Sequence, residues 1–172
     1  MTGSHRLSHQ IAGLAHGLGF GAASISRCRE PTTIEQYRSW LRLGYHGNME
    51  YLARPEAISK REDHSRILED ARSVICVAAN DHTPAPSSEL RNDPSRGLIA
   101  SYATRHDYHD TLLSRLKEIE SLVRSRLQGP VAFRSYVDTG PLLERDLAAQ
   151  GGLGFIGKNT NLIIPGLGSW YF

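Results

Sequence analysis

The sequence predicts one α/β domain, and three observations carry that expectation. Segments with apolar residues at helical spacing alternate with short runs of β-prone residues. The run Ser73-Val-Ile-Cys-Val-Ala-Ala79 is apolar without alternation, as a central strand covered on both faces should be. A chain of 172 residues with 40% hydrophobic content is long enough for one domain with a real core. Lys plus Arg exceed Asp plus Glu by only 20 to 18, a net charge of +2, so no global field announces a nucleic acid or a membrane surface and any basic site must be local. The two cysteines, Cys28 and Cys76, argue against a disulfide framework. No apolar stretch has the length that spans a bilayer, and the polar start is unlike a signal peptide, so the expected compartment is the cytoplasm.

Leu7, Ile11, Leu14, Ala15 and Leu18 predict a first helix over 4–18, with Ser4 as its cap and Gly17 and Gly19 as its stop. A short strand over 20–26 follows, then a helix from Pro31 carrying Ile34, Tyr37, Trp40 and Leu41 and ending near Gly44. Residues 45–52 read as a turn and a short helix that Arg54-Pro55 breaks, and 63–71 as a further helix. Residues 81–97, with Pro84, Pro86 and Pro94, read as a long functional loop. Leu112, Leu113, Leu116, Ile119, Leu122 and Val123 mark a helix over 107–127, stopped by Gly129-Pro130. A strand over 131–137, a helix over 141–150, a glycine-rich connection, a strand over 160–164 and the turn 165–168 complete the pattern. The chain stops in mid-element at Ser169-Trp-Tyr-Phe172, which suggests a truncated product.

Three constellations could carry chemistry. Gly151-Gly-Leu-Gly-Phe-Ile-Gly-Lys158 contains G-x-G-x-x-G at Gly152, Gly154 and Gly157, but a dinucleotide fingerprint follows a strand and opens a helix, and here the order is reversed. A P-loop also needs Ser or Thr after its lysine, where this chain has Asn159. Two readings remain, a helix C-cap with a tight turn and a loop that brings backbone close to a bulky ligand. In Tyr136-Val-Asp-Thr-Gly-Pro-Leu-Leu-Glu-Arg145, Asp138 stands at the end of an apolar strand, where ligand crevices lie in layered α/β proteins. It is either a proton donor or a helix cap, and Glu144 and Arg145 are a solvated ion pair on spacing alone. In the third, Tyr102, Arg105, His106, Asp107, Tyr108 and His109 crowd a helix start. Asp107 as a plain N-cap is the simplest account, and no further ligand pair supports a metal at His106 and His109.

Taken together, Gly44-Tyr-His-Gly-Asn-Met-Glu-Tyr51, the Arg61 region, the strand to Ala79, Asp107-Tyr-His109, Val137 to Arg145, Gly152 to Asn159 and Gly168-Ser-Trp170 resemble the epoxyqueuosine reductase family over essentially the whole chain. The resemblance implies an α/β sandwich, a mixed sheet flanked by helices, related to the corrin-binding domains of cobalamin-processing proteins and reductive dehalogenases. It implies reduction of epoxyqueuosine to queuosine at the tRNA wobble position, with cobalamin and two 4Fe–4S clusters as cofactors, an external electron donor, tRNA as partner and a monomeric state. Residues 1–172 would be the N-terminal cobalamin-binding domain, without the C-terminal cluster region and inactive alone. By resemblance Asp138 is the proton donor; Arg61, Ala100, Asp138 and Leu162 contact cobalamin; Arg145 and Ile164 contact tRNA; no residue ligates a metal. The family usually has Arg where this chain has Ser101. A stand-alone corrin-binding or trafficking module and an inert remnant are the alternatives.

Overall fold

The computed structural model describes residues 3–84 and 86–172, with side chains from His5 onward. Its centre is an antiparallel ribbon of β1 (Phe20–Arg27) and β2 (Ser73–Ala79). The register pairs Ile25 with Ile75, Ala23 with Val77 and Ala22 with Ala78, and it shifts between Phe20 and Ala22, so Gly21 forms a bulge. A Cβ at Gly21 would sit 2.8 Å from the Tyr171 ring, so this bulge lets the C-terminal segment lie close against the ribbon. Beyond Ala79 the other edge of β2 is taken by 170–172, with Ala79 and Phe172 exchanging backbone hydrogen bonds of 2.9 Å in both directions.

The expectation that β2 is covered on both faces holds. Because side chains alternate along a strand, Ile75, Val77 and Ala79 join Ile25, Ala23 and Phe20 on one face, against Ile11 and Ala15 of α1 (Gly3–Gly17) and Leu112, Ile119 and Val123 of α6 (Tyr108–Arg126). On the other face Cys76 and Ala78 pack with Ala22 against Ala148, Leu153, Leu162 and Ile164. Those four come from α7 (Glu144–Gln150) and from a hairpin of β3 (Phe155–Ile156) and β4 (Leu162–Ile163). Helices on both sides of the ribbon make an α/β arrangement, but the sheets are small and antiparallel rather than one mixed sheet. No helix among the described residues is long and apolar enough to cross a membrane.

The two apolar-periodic helices form as their spacing requires. The first takes in Ser4, which therefore does not cap it, and whose side chain lies outside the described residues. α6 has Asp107 as N-cap, accepting from the His109 N–H at 2.8 Å, and Gly129 turns the chain with φ 96°. The second helix is α2 (Ile34–Arg42), ending before Gly44 at φ 69°.

Four expectations need correction. The 131–137 segment makes no ladder; it lies along α6, held by Ser135 Oγ donating to Glu120 at 2.6 Å, by the Arg124 guanidinium donating to the Val131 carbonyl, and by the same guanidinium 4.7 Å from the Phe133 ring centroid. Its apolar side chains, Phe133 and Val137, still reach the core. The helix expected over 63–71 is only a 3-10 turn at His64–Arg66, whereas Pro55 opens α4 (Pro55–Glu62) after the short α3 (Glu50–Ala53). Proline at a first helical position lacks only a donor that would be unpaired there anyway, so Arg54-Pro55 starts a helix rather than only ending one. The loop 81–97 contains a further turn of helix, α5 (Ser88–Asn92), capped by Ser87. Finally the expected helix over 141–150 begins only at Glu144, and the glycine-rich connection contains β3.

Candidate active site around Asp138

Local backbone geometry singles out Asp138. The Thr139 N–H donates to the Val137 carbonyl at 2.6 Å, closing a three-residue turn with Asp138 at its centre and φ 61°. A γ-turn with positive φ is rare and strained for a residue bearing a Cβ. Gly140 makes the return possible, because a Cβ there would lie 2.5 Å from the Tyr136 ring. Asp138 does not cap α7, which starts at Glu144 behind Leu143, so the cap reading fails. Its side chain is 70% exposed. The Tyr108 hydroxyl donates to Oδ2 at 3.0 Å, and His109 Nε2 stands 3.9 Å from the same oxygen.

Tyr108 is the contact that sequence reasoning missed; Asp107-Tyr-His109 marked the neighbourhood, but nothing in a spacing of 30 residues indicates the bond. The Tyr108 ring stacks on His109 at 4.1 Å and on Phe172 at 4.0 Å, and meets Tyr102 edge-on at 6.3 Å. Burial among these rings, then the bond to Asp138 and its charge, push the phenol up to about 12, so Tyr108 keeps its proton and acts as a donor.

Glu144 gathers the other candidates. Its surface is open, yet chain crowds its carboxyl. That crowding, then the charge of Asp138, holds its pKa above the usual carboxylate range, while a backbone hydrogen bond from Asp138 and the charges of Arg145 and Arg61 pull it down. Arg61, Asp138 and Arg145 are thus electrostatic neighbours of one carboxylate. Arg61 is half-buried, 5.2 Å from the Tyr37 ring centroid, and donates to the Ala57 carbonyl at 2.9 Å. The Arg145 guanidinium donates to the Thr160 carbonyl, which ties α7 to the turn before β4. Ala100 is exposed at the start of a 3-10 turn, Ser101–Thr104, whose Tyr102 reaches Tyr108. Ser101 donates to Asp81 at 3.1 Å. Leu162 is half-buried in the cluster that holds Cys76, itself within electrostatic reach of Glu144.

Ile164, the other expected tRNA contact, has its side chain inside the fold. It is 5% exposed, a core residue against Ala78, Ala148 and Leu153, and its N–H and carbonyl are engaged in the turn to Gly168. The turn that follows it, including the side chain of Leu167, is exposed. The glycine-rich loop is explained by the chain's own packing. Gly152, φ 76°, ends α7 in a Schellman arrangement, with Leu153 N–H donating to Ala148 and Gly152 N–H to Ala149. At Gly154 a Cβ would be 2.3 Å from the Ile163 carbonyl oxygen, so the hairpin closes only without one. No group of three or more His, Cys, Asp or Glu that could hold a metal occurs among the described residues.

The site is an exposed carboxylate on a strained turn of an α/β domain, held by a tyrosine that stacks among aromatic rings, with two arginines near the neighbouring Glu144. A family profile described as "Epoxyqueuosine reductase QueG, DUF1730" matches residues 61–139. The epoxyqueuosine reductase of Synechocystis sp. is 38% identical over 152 residues, covering 88% of this chain and 50% of the relative. That of Gloeobacter violaceus is 37% identical over 165 residues, 95% of this chain and 49% of the relative. A crystal structure of epoxyqueuosine reductase with an epoxyqueuosine-modified tRNA-Tyr stem loop is similar at TM-score 0.81 and 26% identity, over 98% of this chain and 44% of that one. The chain belongs to the epoxyqueuosine reductase family, and it spans about half the length of the curated relatives it matches.

Proposed function

We propose that this chain is the corrin-binding, proton-donating part of an enzyme that reduces epoxyqueuosine to queuosine in tRNA. The strained, exposed Asp138 carries the reading: a side chain held in a costly conformation without a structural duty is expected to have a chemical one. Loss of the epoxide oxygen as water takes two electrons and two protons. Asp138 is the proposed donor of a proton to that oxygen, with Tyr108 holding Oδ2.

The residues present fit a large flat cofactor. Exposed Ile99, Tyr102 and Trp170 offer apolar surface near Ala100, and Arg61 offers a cation near Glu144. Arg61, Ala100, Asp138 and Leu162 are the proposed cobalamin contacts, in a sandwich of the corrin-binding type. Bound cobalamin supplies the reducing chemistry. Two 4Fe–4S clusters do not fit this stretch, since Cys28 and Cys76 are its only thiols and face different surroundings, so no step is assigned to them here. Arg145 is proposed to meet a tRNA phosphate or base edge, with the turn after Ile164 beside it. The proposed setting is cytoplasmic and monomeric, with electrons from an external donor and residues 1–172 acting as the N-terminal domain.

A cobalamin titration of the purified chain tests the reading. Saturable binding with a changed corrin absorption spectrum, weakened in Arg61→Ala, is expected. A folded chain that leaves the spectrum unchanged at all concentrations overturns it.

A further inference from the structure

His109 occupies a position that its role in capping α6 does not explain. Asp107 Oδ1 accepts from the His109 backbone N–H at 2.8 Å and lies 2.8 Å from ring Nδ1. Those two bonds hold the Asp107 carboxyl below the usual range, so it is ionised and can only accept, and Nδ1 must carry a hydrogen. That leaves Nε2, which is sealed from solvent and has no hydrogen-bond partner among the described residues. A buried polar atom left in that state costs about 1–3 kcal/mol. The nearest acceptor is Asp138 Oδ2 at 3.9 Å, a gap longer than a hydrogen bond and too short to seat a water molecule. Asp138 is exposed and held through its carboxyl by one bond, from Tyr108, so a small rotation of that carboxyl closes the gap.

We infer that Asp107 and His109 form a relay that returns a proton to Asp138, with Asp107 setting the ring's tautomer and His109 serving as the positioning residue behind the donor. The inference rests on the reading of Asp138 as proton donor. After Asp138 has protonated the substrate oxygen it is a carboxylate. The Nε2–H bond of a His109 imidazolium then breaks and an Oδ2–H bond forms, while the Nδ1–H bond to Asp107 is kept. His109 becomes neutral and no electron moves; once the carboxyl turns away from the ring, water in the cavity of about 100 Å³ lined by His109, Asp110, Ser135 and Tyr136 returns the proton to Nε2. The charged or titratable groups facing the ring are Asp107, Asp138, Asp110, Tyr136 and the stacked Tyr108. Tyr108 does not compete as the source, because its phenol is pushed up to about 12.

Nitrogen-15 histidine spectra of the whole chain read the tautomer directly. The neutral His109 ring is expected to show a protonated Nδ1 and a bare Nε2, with that preference lost in Asp107→Asn; a neutral ring protonated at Nε2 instead of Nδ1 overturns the relay. The second arm is turnover with added cobalamin, modified tRNA and a chemical reductant. His109→Ala is expected to lower kcat about 100-fold, the low end for a positioned proton-transfer group, with KM for tRNA unmoved and added imidazole restoring the rate. If Asp138→Asn abolishes turnover while His109→Ala matches the unaltered chain, the relay falls and the donor reading stands. If Asp138→Asn turns over normally, both fall.

Discussion

Two aspartates eight residues apart in the sequence do opposite things. Asp146, on α7, is 3% exposed and accepts from the Thr32 N–H at 2.7 Å, the Thr32 hydroxyl, the Thr33 N–H at 3.4 Å and the Gln150 amide at 3.3 Å. It fastens α7 to the segment that leads into α2, and its carboxylate has no capacity left for a ligand. Asp138 is 70% exposed, sits in a strained turn and receives one side-chain hydrogen bond. Saturation of a buried carboxylate marks a structural part, and an under-bonded one on a strained turn marks a working part. α7 and its hairpin form the anchored base beside the strained turn that presents the acid.

The contrast predicts effects that separate. Asp146→Ala strands two backbone donors and a hydroxyl, and chemical denaturation should record a loss of about 2–4 kcal/mol; a loss under 1 kcal/mol would erase the distinction. Asp138→Asn is expected to cut turnover by about 100-fold or more while moving stability by less than about 0.5 kcal/mol. Asp138→Gly sharpens the point, since relief of the positive-φ strain should raise stability by up to about 1 kcal/mol in a protein that no longer turns over. On the rigid side, Gly154→Ala drives a methyl into the Ile163 carbonyl and should cost about 1–3 kcal/mol, read from the same denaturation curves.

The smallest effect concerns pH. Burial, then the charge of Glu144, lifts Cys76 from 9.0 to about 11. A thiol whose folded pKa is raised contributes stability that is complete below pH 9 and is lost as pH rises through about 11. Denaturation midpoints should fall over that window, and Cys76→Ala should flatten that part of the slope; an unchanged slope would show that Cys76 is more solvated than the fold requires.

The sequence was most legible where one force decides the outcome. Apolar periodicity alone placed the first and sixth helices and the two-faced strand, because burying those stripes leaves few alternatives. It misled at 131–137, where β-prone residues found an Arg124 and Glu120 surface on α6 instead of a strand partner. It also misled at Pro55, where one residue type both ends and begins helices. At the site, Asp138 was legible as a choice between cap and acid, and only the start of α7 at Glu144 removed the cap. Ile164 was assigned a tRNA contact by resemblance, and no spacing signal indicated that its side chain joins the core. The bonds among Asp138, Tyr108 and His109 were illegible because they join residues brought together only by packing of the loop on α6.

The stack of His109, Tyr108 and Phe172 has a mechanical consequence. Phe172 is tied by its backbone to Ala79 at the end of β2 and by its ring to the tyrosine that holds Asp138. Opening of that rung removes one wall of the Tyr108 slot, so separation of the sheet there and loosening of the acid are a single event. Amide exchange at Phe172 and ring flipping of Tyr108 should therefore share one opening rate, which makes the C-terminal rung a gauge of how firmly the carboxylate is aimed.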